Sequence, residues 1–84
     1  MSSDPVRIVL FGRAGCHLCD EARDVIGALG ERWSEVDVDT AGGHVLAEYG
    51  ELVPVVEVDG VRQGYWRIDA DRVRAALAKA PREP

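Results

Sequence analysis

The sequence predicts an α/β domain with elements in the order β-α-β-α-β-β-α and a four-stranded mixed sheet covered by helices on both faces. Three observations carry that expectation. Val6–Phe11 is a nearly continuous apolar and β-branched run, as in a strand buried on both sides. Leu18, Ala22, Val25, Ile26 and Leu29 fall at i, i+4, i+7, i+8 and i+11, one stripe of an amphipathic helix. Asp59-Gly60 separates two strand-like runs by two residues, a strong hairpin signal.

The elements follow in order. The first strand takes Val6–Phe11, and Gly12-Arg13-Ala14-Gly15 breaks it. The helix that follows starts at Cys16 and stops at Gly30, whose lack of a side chain suits a C-terminal cap. Trp33–Asp39 sets Val36 and Val38 against Glu35, Asp37 and Asp39, a strand with one buried face and a solvated acidic one. Trp33 at its start reads as core packing. Gly42-Gly43 opens a shorter helix with Val45, Leu46 and Tyr49 at helical spacing, ending at Gly50. Val53–Val58 and Val61–Tyr65 form the hairpin, and Pro54 must sit at a strand's first residue or on an edge, because it donates no ladder hydrogen bond. Asp69 or Asp71 caps a last helix with the stripe Ala70, Val73, Leu77 and Ala80. The first crossover places two parallel strands side by side. One domain is expected over 1–84, with its ordered core at about 6–80 and loose ends at Met1–Pro5 and Pro81–Pro84.

Charge narrows the function. Ten Lys and Arg against fifteen Asp and Glu give a formal net charge of −5, the wrong sign for holding nucleic acid or an anionic membrane surface. The N-terminal apolar run Ile8–Phe11 is far too short for a membrane span or a secretory core. The expected location is therefore the cytoplasm, where thiols stay reduced.

Both cysteines of the chain, Cys16 and Cys19, stand in one Cys-x-x-Cys pair at a helix start. Unpaired backbone N–H groups and the positive end of the helix dipole favour a thiolate there, and such thiols reach pKa values of roughly 3.5–7.5. Cys19 lies one turn deeper on the same side, within disulfide reach of Cys16. The first thiolate attacks a substrate disulfide and the second resolves the mixed disulfide. A protonated His17 and the Arg13 guanidinium would steady the thiolate, Arg13 also a substrate carboxylate; Asp20 and Glu21 oppose the charge. Two other readings stay open at this point. The pair could be half of a metal or iron–sulfur site shared across a dimer, or a redox-silent pair of helix cysteines. His44 reads as a surface residue, and Trp66 beside Arg67 is divided between packing and lining a groove.

Together, Gly12-x-x-Gly15-Cys16-His17-Leu18-Cys19-Asp20, the strand Val36-Asp37-Val38-Asp39, and Val53-Pro54 ahead of Asp59-Gly60 resemble the glutaredoxin-like family of the thioredoxin superfamily, over roughly residues 6–80. The form of the Cys-x-x-Cys motif is closest to the small bacterial glutaredoxin-like proteins. The resemblance implies a thioredoxin fold and a thiol–disulfide oxidoreductase working by the dithiol route, with Cys16 as nucleophile and Cys19 as resolving thiol. It also implies that Pro54 is a cis-proline facing them. The Val53 backbone would then pair with a bound peptide or glutathione as an added strand. The pattern departs from the family at His17-Leu18, where Pro-Tyr is usual, at Leu52, where Thr is usual, and at Gly64-Tyr65, where two glycines help seat glutathione. Asp69 is the nearest match to the acidic residue after those glycines. The expected substrate-binding set is Arg13, His17, Leu18, Val53, Pro54 and Gly64. No resident cofactor is expected, only an external thiol reductant such as glutathione. The partner is a disulfide-containing protein or glutathione, with no nucleic acid and no membrane, and the chain acts as a monomer.

Overall fold

The structure, a computed structural model, describes residues 6–79. The strands are β1 (Ile8–Gly12), β2 (Trp33–Asp37), β3 (Val55–Val58) and β4 (Val61–Tyr65), and they form one sheet in the order β2-β1-β3-β4. β1 and β2 run parallel, whereas β3 is antiparallel to both β1 and β4. The helices are α1 (His17–Gly27), α2 (Val38–Ala41), α3 (Gly43–Tyr49) and α4 (Ala70–Ala78). The architecture is the expected α/β fold, a mixed sheet with helices on both faces. The expectations for Met1–Pro5, Ala80 and Pro81–Pro84 lie outside the described residues.

Alternation along the two central strands splits the core. Ile8, Leu10, Val56 and Val58 point to one face and pack with Ala22 and Ile26 of α1 and Val73 and Ala76 of α4. Phe11 and Val55 point to the other and pack with Val38 of α2 and Tyr49 of α3. That two-sided burial explains why β1 and β3 read as continuous apolar runs. The Phe11 and Tyr49 rings meet edge-to-face at 4.9 Å between centroids. Trp33 packs half-buried against the first cluster, as expected.

The hairpin turn has φ +54 at Asp59 and +81 at Gly60, the doubly left-handed pair that suits right-twisted strands. Asp59 also pairs with Arg7, whose guanidinium spans to the carbonyls of Leu77 and Lys79 at 3.0 and 2.9 Å. One cation thus ties the hairpin to the C-terminal carbonyls of α4. Asp69 rather than Asp71 caps α4, accepting from the Asp71 and Arg72 amides.

Two expectations need correction. The first helix stops at Gly27 with Ala28 as its C-cap, three residues short of Gly30. The second strand stops at Asp37 instead of running to Asp39, because the Asp37 carboxylate accepts the Asp39 and Thr40 amides at 2.9 and 3.4 Å and starts a helix. Val38 is still fully buried, from a helical turn rather than a pleat. Asp37 and Asp39 are therefore a cap and an ion-pair partner, and two short helices stand where one was expected.

Candidate redox site

Gly15, at φ +75, turns the chain between β1 and α1, and Cys16 follows as the N-cap of α1 with extended backbone. In the place of the usual Ser or Asp oxygen, the Cys16 Sγ accepts the Cys19 amide at 3.3 Å. Both cysteines are free thiols, Cys16 half-buried and Cys19 fully buried. Cys19 lies against the end of β1. A Cβ on Gly12 would come within 3.2 Å of the Cys19 Sγ, so glycine at that position clears the space the resolving sulfur occupies.

The buried sulfur holds its proton tightly. The Cys19 thiol is pushed up to about 11, first by burial and then by the hydrogen bond it donates to Cys16. The Arg13 backbone amide and the Arg23 charge act in the opposite direction. Arg23 sits one turn after Cys19 on α1 and is held by Glu35, with contacts of 2.7 and 2.9 Å, and by Asp20. At neutral pH an alkylating reagent is expected to label Cys16 first, as read by mass mapping. In Cys16→Ser the Cys19 titration, followed by thiolate absorbance, should move down.

A second proton is also held tightly. Burial and a 2.6 Å hydrogen bond donated to Glu57 push the Tyr49 hydroxyl up to about 12. Both groups bind protons more tightly in the folded chain than in the unfolded one. The stability they contribute is complete below pH of about 9 and is lost as pH rises through 11 to 12. Urea midpoints should therefore fall steeply above pH 9.

Arg13, three residues before Cys16, reaches away from the helix. Its Nη2 and Nε donate to Asp39 at 2.8 and 3.1 Å and its Nη1 to the Gly50 carbonyl at 3.0 Å. It thereby fastens the loop before Cys16 to α2 and to the end of α3. The Cys16 and Cys19 sulfurs still interact with its charge. Asp39 is held below the usual carboxylate range by Arg13. The pair's contribution is present above the ordinary carboxylate value near 4 and is lost as pH falls below it. Asp39→Asn should therefore lower the urea midpoint at pH 7, and the gap to wild type should close as the pH is taken down through the acid range below about 4.

At the same end of the sheet lies the segment from Glu51 to Pro54, which contains the cis Val53–Pro54 peptide bond. Phe11 pairs with Val55, and Val55 with Tyr65. The end of β1, the start of β3 and the end of β4 therefore lie at one end of the sheet, the end from which α1 departs with Cys16. Trp66 fastens this segment. Its amide donates to the Pro54 carbonyl at 2.8 Å and, more weakly, to Leu52 at 3.3 Å, while its indole Nε1 donates to the Glu51 carbonyl at 3.2 Å. Trp66 does this at φ +64, a left-handed conformation that costs a bulky residue on the order of 1–3 kcal/mol. The Val53 amide and carbonyl make no hydrogen bond among the described residues.

Of the expected site residues, Cys16, Cys19, Leu18 and His17 lie along the first turn of α1, with His17 exposed. Val53 and Pro54 stand at the same end of the sheet, Val53 half-buried and Pro54 buried. Gly64 lies in β4 opposite Val56 with open space where a Cβ would project. His44 is exposed at the start of α3, as expected. Sequence reasoning missed Gly12, Arg23 and Asp39. Only Arg23 carried a signal, its i+4 spacing from Cys19. Among the described residues no group of three or more His, Cys, Asp and Glu side chains is arranged to hold a metal. No helix there is long and apolar enough to cross a membrane.

Comparison with known proteins decides the family. The family model described as Glutaredoxin-like domain (DUF836) matches residues 7–78. The chain belongs to this glutaredoxin-like family. It is 33% identical over 82 residues to the uncharacterized protein Rv0508 of Mycobacterium tuberculosis, covering 88% of this chain and 84% of that one. The X-ray structure of protein XcR50 from Xanthomonas campestris superposes with a TM-score of 0.72 at 35% identity, covering 88% of this chain and 99% of the other. The holo form of glutaredoxin C1 from a Populus tremula × tremuloides hybrid gives a TM-score of 0.58 at 20% identity, over 86% of this chain and 74% of that one. At that distance the likeness shows the fold, and the fold is that of a glutaredoxin.

Proposed function

We propose that this glutaredoxin-like domain is a thiol–disulfide oxidoreductase that reduces protein or glutathione-type disulfides by the dithiol route. The observation that carries the reading is the pairing of two unlike sulfurs on one helix turn. Cys16 is accessible and capped by a backbone amide, and Cys19 is buried and holds its proton. The Cys16 thiolate attacks the substrate disulfide, forming a Cys16–substrate disulfide and releasing one substrate thiolate, which takes a proton from solvent. Cys19 then gives up its proton, with the Arg23 charge one turn away favouring the anion. It attacks the Cys16 sulfur, closing the Cys16–Cys19 disulfide and expelling the second substrate thiol. Two electrons leave the dithiol, and an external thiol reductant of the glutathione class restores it. The unpaired backbone of Val53 offers a strand-like partner to a bound peptide or glutathione. His17, Leu18 and Gly64 border the approach, and Arg13 holds the loop before Cys16. The chain works as a monomer in a reducing compartment such as the cytoplasm.

The test is redox equilibration in glutathione buffers, read by intact mass after acid quench. The expected result is reversible loss of two hydrogens with a single potential between about −270 and −120 mV. A pair that never oxidises, or a coloured dimer with stoichiometric metal bound through Cys16 and Cys19, would overturn the reading.

A further inference from the structure

The Cys19 sulfur has an acidic neighbour that the dithiol route does not use. Glu35 pairs with Leu10 across β2 and β1, on the face of the sheet that α1 covers. Its Oε2 and the Cys19 Sγ lie 3.6 and 3.2 Å from the point where a Cβ on Gly12 would stand. Carboxylate and sulfur therefore border one gap, no more than about 7 Å apart, inside the screening length at physiological salt. The other titratable and charged groups around this sulfur are Cys16, Asp20 and Arg23 along α1 and Arg13 on the loop before it.

Arg23 is the cation of α1 that acts on Cys19, and two carboxylates already hold it. Glu35 accepts from its Nε at 2.9 and 3.1 Å and from its Nη2 at 2.7 Å, while Asp20 accepts from Nη1. The Arg23 and Glu35 side chains are only 31% and 30% exposed, so solvent screens the pair incompletely. What holds Arg23 protonated is first its hydrogen bonding to Glu35; among the charges Glu35 leads, Asp20 follows and Cys19 comes last. The trio of two carboxylates and one guanidinium is net negative, which disfavours a thiolate beside it.

We infer that Glu35 is a brake on the resolving sulfur: by occupying Arg23 and standing beside Cys19 with its own charge, it prolongs the Cys16–substrate disulfide, so that an external small thiol competes for it. The inference rests on the redox reading and assigns the regulation of its second step. Two exits lead from the mixed disulfide. In one, Cys19 loses its proton and its thiolate attacks the Cys16 sulfur; the Cys16–Cys19 bond forms and the substrate thiolate leaves, taking up a proton. In the other, the thiolate of a small thiol attacks the substrate sulfur, forms a new disulfide with it and expels the Cys16 thiolate. Each exit exchanges one disulfide for another, so neither needs an outside oxidant. With Glu35 neutralised, Arg23 turns its charge to Cys19. A thiol lowered by about one pH unit is about tenfold more ionised at neutral pH, and its weaker nucleophilicity leaves a net gain of about threefold.

The experiment follows one turnover of bis(2-hydroxyethyl) disulfide by acid quench and intact mass, timing the rise of the Cys16 adduct and its decay to the internal disulfide. In Glu35→Gln the adduct is expected to rise at the wild-type rate and to decay about threefold faster. The glutathione concentration that diverts half of the adduct should grow by the same factor. Asp20→Asn, which frees the guanidinium from its other carboxylate, should also speed the decay, and Arg23→Gln should slow it. In a Cys16→Ser background, Glu35→Gln should lower the Cys19 titration by about one pH unit, followed by thiolate absorbance. Acceleration of the second step alone is not an effect of a weakened fold. A decay unaltered or slowed in Glu35→Gln would overturn the inference and leave the redox reading intact. If that variant does not fold, the same outcome in Asp20→Asn overturns it. Wild type that never forms the adduct would instead sink the redox reading, and this inference with it.

Discussion

Cys16→Ser is expected to abolish disulfide reduction, lowering kcat/KM by about a thousandfold or more, because the group that makes the first bond to the substrate is gone. The effect should be purely chemical. The Cys16 sulfur accepts one amide at the start of α1, and a serine oxygen accepts the same bond at least as well. Thermal stability should therefore stay close to that of wild type while turnover disappears. Cys19→Ser is different in kind. It leaves the first attack in place and removes the resolving step, so dithiol turnover stops at a mixed disulfide that only an added thiol releases. Full activity in Cys16→Ser would mean that the disulfide chemistry lies elsewhere.

The second large effect is structural. Ile26→Ala should destabilise the fold by about 3 kcal/mol, the cost of losing a fully buried aliphatic side chain and leaving a cavity. For a domain of this length that lowers Tm by roughly 12–24 °C. Ile26 is completely buried between α1, α4 and the sheet, in contact with the cluster of Ile8, Leu10, Val56 and Val73. It belongs to the helix that presents Cys16, so activity should be lost at a temperature lowered in step with Tm. An unchanged Tm would contradict the described packing of α1.

Much of this was legible in the sequence, for physical reasons that differ by element. β1 and β3 were readable because both faces of a central strand are buried, which leaves an apolar run with few interruptions. The Asp59-Gly60 turn was readable because only a few residues accept two successive left-handed conformations. Asp69 announced α4 through its cap. The end of β2 was not readable, because Val36 and Val38 alternate as strand residues do and Val38 is buried either way. What decided it was the Asp37 side chain taking the amides that a further strand residue would have left for a neighbour. Within the site, the positions of Cys16 and Cys19 followed from local spacing. The partners of Arg13 did not, since Asp39 and Gly50 lie far along the chain and meet it only through the fold. The role of Gly12 was hidden because it concerns space for another residue's sulfur. The left-handed Trp66 was equally hidden, being a conformation that its residue type disfavours.

The most direct measurement is mass spectrometry of Cys19→Ser and Cys16→Ser after brief exposure to a disulfide-linked peptide, quenched in acid. The account requires Cys19→Ser to carry one peptide, attached at Cys16, and Cys16→Ser to carry none over the same interval. A peptide trapped on Cys19, or equal labelling of the two variants, would contradict it.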